Sequence, residues 1–395
     1  MIKFSVLVPT YNRHKLVIHT LRSLLAQTYT DFEILLFDNG SNPPVYDAVV
    51  REFNDNRIKF RRYEENTDIN DLGEEALNQM SGTHFLWLAD DDALTPSALE
   101  IVAKVLESNN NIDLLFVGFA NFKHGTDLQP GVWSCPNELD SFSGLLEEFN
   151  AEEAGLYFCN LWGIGAKHNY NGPRMAWPSS IFLSRRLIDV TRKRQGELFI
   201  KPFGDVGYVG ACFNTEKSYY LDLPLSVIGD TAVRDSVAAK PGMRRKWDKK
   251  VRWLEHTPIR GVSHINLAVD IHLKTLYRNG LNKKYDCRLR PDFYYRHLAN
   301  VVSDSPWTKV TVRDLAECLP YLIISHYQFF SVRDTIRGLY QLPLRVAGKI
   351  LSRLNNNRGT KPSIKGIEFE NIYQFAVWVD DNHVKPNRGM FKSVQ

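Results

Sequence analysis

Three consecutive acids, Asp90-Asp91-Asp92, follow directly on the apolar run Phe85 to Ala89. Like charges held so closely repel, and one of them takes up a proton unless a cation sits among them. Hard divalent ions such as Mg²⁺ or Mn²⁺ favour carboxylate oxygens and keep open positions for phosphates. Behind the acids, Thr95-Pro96 followed by Ser97-Ala98-Leu99-Glu100 reads as a helix start. The acids are therefore expected in a loop at the carboxyl end of a buried strand, where open α/β sheets place their ligands. Farther on, Phe203-Gly204-Asp205-Val206 sets one isolated acid among apolar neighbours, and Asp205 is the only acid between Glu197 and Glu216. Phe203, Val206 and Tyr208 around it point to partial burial, which would raise its pKa toward working pH and suit proton abstraction.

The elements that must position these acids follow from the pattern around them. Phe4 to Val8 is a β-rich apolar run ending at Pro9-Thr10-Tyr11-Asn12-Arg13. A helical pattern with Leu16, Thr20, Leu21, Leu24 and Leu25 on one face comes next. The strand Phe32–Phe37 follows, closed by Asp38-Asn39-Gly40-Ser41. Helix 45–53, strand 58–63 and helix 71–80 lead into the strand before the acids. Helix 98–107, strand 112–119 and a short strand and turn at 219–225 come after them. This alternation predicts a mainly parallel sheet with helices on both faces. Its strands are continuous apolar runs, as buried parallel strands require.

The 395 residues are too many for one compact core. The division expected is a first domain over 1–230, a mainly helical one over 231–354, and a linker and tail over 355–395. A loop-rich insertion is expected over 123–150. A glycine- and aromatic-rich loop over 155–180, with Trp162 and Trp177, suits a substrate pocket. Composition is that of a soluble globular protein, 44% hydrophobic and 24% charged. A net charge of +4 is too weak to point to nucleic acid. Five dispersed cysteines without a CxxC pair suit a reducing compartment. The start reads directly into a strand and no apolar run reaches 18 residues, so a cytoplasmic protein is expected. Two basic stretches, Lys240–Arg252 and Arg333–Arg358, stand out. The second is amphipathic, as in helices that lie on anionic membrane surfaces, so peripheral contact with the inner face is an expectation alongside plain packing.

Together, Ser5-Val6-Leu7-Val8-Pro9-Thr10-Tyr11-Asn12-Arg13, the strand end Phe37–Ser41, Gly82–Asp92 with Pro96 behind it, and Phe203-Gly204-Asp205 resemble a family-2 glycosyltransferase of the GT-A fold. The likeness spans about residues 3–228; the rest of the chain matches no family we can name. The resemblance implies an inverting, metal-dependent transfer from a nucleoside-diphosphate sugar to a glycan or lipid-linked acceptor, in bacterial surface polysaccharide synthesis. Pro9, Thr10, Tyr11, Arg13 and Asn66 would line the donor site, and Asp38 would accept a hydrogen bond from the base. Asp90 and Asp92 would hold Mn²⁺ or Mg²⁺ at the diphosphate, with Asp91 beside them, and Asp205 would be the general base. Departures exist as well. Asn66-Thr67-Asp68 stands where the family has Asn-x-Gly, Leu72-Gly73-Glu74 replaces Ala-Arg-Asn, and Ala89 replaces an acid common in relatives. The competing readings are a metal-dependent nucleotidyltransferase and an inactive nucleotide- or glycan-binding module. Pro9–Arg13 is not the glycine-rich, lysine-bearing phosphate loop the former would need. Intact Asp38, Asp92 and Asp205 speak against the latter.

Overall fold

The computed structural model describes residues 1–109, 111–125, 131–133, 139, 141–161, 164, 172, 177–201, 208–230, 255–256, 264–285, 287 and 367–390. Asp205, both basic stretches and the linker beginning at 355 lie outside the described residues.

The chain opens β1 (Phe4–Thr10), α1 (His14–Leu25), β2 (Phe32–Asp38), α2 (Tyr46–Glu52), β3 (Ile58–Arg62), α3 (Ile69–Gln79) and β4 (His84–Trp87). These strands lie side by side in the order β4-β1-β2-β3, all parallel. From β1 the chain steps outward to β2 and β3, then returns past β1 to lay down β4. That reversal opens a crevice between the carboxyl ends of β1 and β4, the place where such sheets bind ligands. Successive side chains alternate between two cores. Phe4, Val6 and Val8 of β1 face one, together with Leu86 of β4 and Leu21 and Leu24 of α1. Leu7, Phe85 and Trp87 face the other, together with Leu72, Ala76 and Leu77 of α3. Helices on both faces follow from strands that are apolar on both sides.

Beyond β4 come β5 (Ala93–Leu94), α4 (Ala98–Ser108), β6 (Leu114–Lys123), β7 (Gly131–Trp133), β8 (Leu146–Glu148) and α5 (Ala151–Leu161). A 3₁₀ turn (Pro178–Ser180), β9 (Ile181–Ser184), α6 (Arg185–Gln195), α7 (Tyr208–Cys212) and β10 (Ser218–Asp230) complete the first part. The α/β class with helices on both faces holds, and the sheet is mixed: β9 runs antiparallel between β4 and β6. The 219–225 strand is longer than expected. β10 extends for 13 residues and pairs with β6 in parallel throughout. The reason it survives Pro224 is a pair of register shifts there, bulges at which the missing N–H is harmless. The stretch 123–150, expected to be loop, contributes β8 on the far side of β10.

After 230 the described residues include the helix α8 (His264–Arg278), then β11 (Ile367–Phe369) and α9 (Ile372–Val379). None of the described helices is long and apolar enough to cross a membrane. Sequence periodicity assigns nothing to 364–395, yet its described residues, 367–390, dock on the first part. β11 pairs antiparallel with β7 at the sheet edge, and Phe375 stacks on Phe122 with centroids 5.4 Å apart. Asp380, fully buried, accepts hydrogen bonds from the Ser97 backbone N–H at 3.2 Å and from its hydroxyl, and pairs with Lys385 at 3.3 Å. Asp380→Ala would leave buried Ser97 donors unmet, a loss of roughly 1–3 kcal/mol. A urea midpoint that stays at the wild-type value would show that this contact does not hold the segment in place.

Candidate active site

Four segments meet at the crevice. β1 delivers Thr10, whose carbonyl accepts the Asn39 N–H at 2.8 Å and ties the ends of β1 and β2 together. Asn12 then takes a left-handed conformation, φ 56°, which Asn tolerates better than most residues. Its N–H donates to Ser41 Oγ at 2.9 Å and its Oδ1 accepts the Asn42 N–H at 2.8 Å. This turn swings Arg13 back over the strand ends. Arg13 Nη1 lies 2.9 Å from Asp90 Oδ1 and 3.2 Å from Asp91 Oδ2. Thr10 Oγ1 donates to the other Asp90 oxygen at 2.8 Å.

Asp92 is held from two other sides. Ser179 Oγ donates to its Oδ2, and the Gly229 backbone N–H donates to its Oδ1 at 2.8 Å. Its carbonyl accepts Thr20 Oγ1 at 2.8 Å. The Asp91 carbonyl meets His124 Nε2 at 2.9 Å. A Cβ on Gly229 would come within 1.9 Å of that same carbonyl, so only glycine lets β10 approach this closely. Ser179, Gly229, His124 and Thr20 were not visible as site residues in the sequence. Only Pro178-Ser179-Ser180, just before a strand, and a glycine closing an apolar run hinted at them.

Burial raises the Asp90 carboxyl from its ordinary 3.8 to about 6, against the pull of Arg13 and with the push of Asp91. Asp92 is raised well above its ordinary value, by burial first and then by the Asp91 charge. Of the triplet, Asp90 and Asp92 are buried, and Asp91 is the one partly open to solvent.

The remaining expected residues occupy the neighbouring strand end. Asp38 is fully buried, with Oδ1 accepting the Ser41 N–H at 2.9 Å and Oδ2 the Val45 N–H at 3.1 Å; Arg62 Nη1 is 3.5 Å away. Asn66 donates to the Asn39 carbonyl at 3.2 Å. Pro9 is buried within β1 and Tyr11 is half-buried beside Thr10. The structure thus joins Thr10 and Arg13 to Asp90, and Arg13 to Asp91, while the Asp92 side chain is held by Ser179 and Gly229; Asp38 and Asn66 lie one strand over. The 620 Å³ cavity lined by Glu148, Asn150, Glu152 and Ser218 shares no residue with this cluster.

Among the described residues no three His, Cys, Asp or Glu side chains form a ready metal cage. The positive charge between Asp90 and Asp91 is that of Arg13. The donor set still fits a hard divalent ion, since Mg²⁺ commonly takes one or two carboxylates and fills its shell with water and substrate phosphates.

Residues 5–140 match the model of the family described as "Glycosyl transferase family 2". That match covers about a third of the chain. An uncharacterized glycosyltransferase of Rickettsia conorii is 33% identical to the chain over 112 residues, 28% of this chain and 18% of that protein. One from Haemophilus influenzae is 32% identical over 112 residues, 28% of this chain and 37% of that protein. The chain covers between 13% and 37% of the length of such curated relatives. Among solved structures, S. aureus TarS 1–349 in complex with UDP-GlcNAc aligns over 90% of this chain and 91% of that one, at 15% identity and a TM-score of 0.45.

Within the family-2 segment the raised acids have a measurable signature. Folded Asp90 holds its proton more tightly than the unfolded chain does. Its contribution to stability is therefore present below about pH 3.8 and is lost as pH rises to about 6. In EDTA, denaturation midpoints taken from pH 4 to 7 should fall more steeply for the wild type than for Asp90→Asn. Equal slopes would mean that Asp90 titrates normally.

Proposed function

We propose that this chain is an inverting glycosyltransferase that uses a nucleoside-diphosphate sugar as donor and a glycan or lipid-linked hydroxyl as acceptor, in surface polysaccharide synthesis. The observation that carries the reading is the convergence of Thr10, Arg13 and the Asp90–Asp92 triplet where the strand order reverses. The family-2 model match over residues 5–140 supports it.

On this reading the diphosphate lies over the carboxyl ends of β1 and β4. Asp90 and Asp92 would hold a divalent cation, Mn²⁺ or Mg²⁺, with Asp91 the carboxylate most open to solvent. When bound there, such an ion would supply Lewis-acid stabilisation of the charge on the departing diphosphate. Arg13, already balanced between two carboxylates, adds a second positive charge on the phosphate side. Thr10 and Ser179 keep Asp90 and Asp92 oriented, so the carboxylates need not reorganise as charge moves. Asp38 shapes the loop at the end of β2 against which the base and Asn66 would sit. Asp205 takes the proton from the acceptor hydroxyl, which attacks opposite the leaving group and inverts the anomeric centre. The enzyme would act in the cytoplasm, and contact of Arg333–Arg358 with anionic lipid at the inner face stands beside plain packing of that stretch.

Two substitutions test this assignment. Asp92→Asn should keep the fold yet abolish Mn²⁺-dependent binding of a nucleoside diphosphate in calorimetry; unchanged affinity would remove Asp92 from the metal site. Asp205→Asn should lower kcat by at least ~10²-fold while donor affinity stays close to wild type, the low end for a lost general base. If instead donor binding collapses in that variant, Asp205 belongs to the nucleotide side and the proposed base is wrong.

A further inference from the structure

Trp177 is 51% exposed, whereas Trp87, on the strand leading to the acids, is 7% exposed. A half-exposed indole offers a flat apolar face that a ligand can cover. Its backbone is firmly held. The Trp177 carbonyl accepts both the Ser180 N–H and the Ser180 hydroxyl, each at 2.9 Å, and Pro178 opens the 3₁₀ turn that follows. The next residue in that turn, Ser179, donates to Asp92 and accepts the Ala89 N–H at 3.3 Å. β9 then fixes the turn between β4 and β6. Trp177 is therefore two residues from a direct contact with the acid cluster, and two residues of chain span at most ~7 Å. A ring joined to a diphosphate at Asp92 would lie within reach of that indole.

We propose that Trp177 is a stacking platform for a pyranose ring bound at the acid site. This rests on the glycosyl-transfer reading and adds a specificity residue to it. A pyranose offers hydroxyls at its rim and an apolar C–H face above and below. A flat indole covers such a face while leaving the hydroxyls free to be read by polar groups. A rigid mount means that little ordering is lost on binding. Both the donor sugar and an acceptor sugar present this face, and the test separates them.

Trp177→Ala and Trp177→Phe are compared with wild type, with melting curves confirming the fold, since an exposed side chain adds little to stability. Calorimetry with Mn²⁺ measures UDP against UDP-glucose and GDP against GDP-mannose. Saturation-transfer NMR measures methyl glucoside and methyl galactoside alone. If the platform holds the donor, Ala leaves nucleoside-diphosphate affinity unchanged and removes the extra affinity contributed by the sugar, roughly tenfold; Phe restores most of it. If it holds the acceptor, the donor pairs are unchanged and the methyl-glycoside signal is lost in Ala and recovered in Phe. Wild-type behaviour of the Ala variant in both arms overturns the proposal. Wild-type protein that binds no nucleoside diphosphate overturns the glycosyl-transfer reading itself, and this inference with it.

Discussion

The mutual repulsion of three consecutive carboxylates is the constraint to which the rest of the site answers. Burying Asp90 and Asp92 makes that repulsion worse, because the interior screens charge less than water does. The fold counters it with one full positive charge, Arg13, and with hydrogen-bond donors from elements far apart in sequence: Thr10 on β1, Ser179 before β9 and Gly229 on β10. Each donor requires its own strand to end at one place. Much of the mixed sheet can be understood as the scaffold that makes those ends coincide. β9 must run against β4 and β6 for Ser179 to sit under the acids, and β10 must come in with a glycine at its tip.

This explains what was legible in the sequence and what was not. Buried strands with both faces apolar are plain from Phe4–Val8 and Phe32–Phe37, and the order of strands and helices gives the parallel half of the sheet. The acids were legible because three carboxylates at a strand end are unusual chemistry, whereas Thr10 and Arg13 came only with the family resemblance. Ser179 and Gly229 were not, because a serine and a glycine look the same in any loop; their role exists only once β9 and β10 are folded against β4. The length of β10 was hidden by Pro224, which reads as a stop and is in fact a bulge. The segment 367–390 was hidden because its partners, Ser97, Phe122 and β7, are hundreds of residues away and leave no local periodicity.

Asp38 shows how a residue can be expected for one reason and built in for another. Its oxygens are engaged by the loop that follows β2, so its first task is to fold Asn39–Val45 into a fixed shape. Asn39 then ties that loop to Thr10 and to Thr67. A rigid loop of this kind gives any ligand at the strand ends a preformed wall, which lowers the ordering cost of binding.

The docking of Asp380 onto Ser97 also has a temporal meaning. These two residues are 283 positions apart. At synthesis rates of roughly 5–20 residues per second, Ser97 waits about 15–60 s before its partner exists. For that interval α1, β5 and Phe122 lack the apolar cover that α9 later provides. A nascent chain in this state presents a bare hydrophobic face beside an unpaired edge of β7, a surface suited to chaperone binding. Completion of the acid site's supporting layer is thereby delayed until the last strand and helix of the described chain have been made.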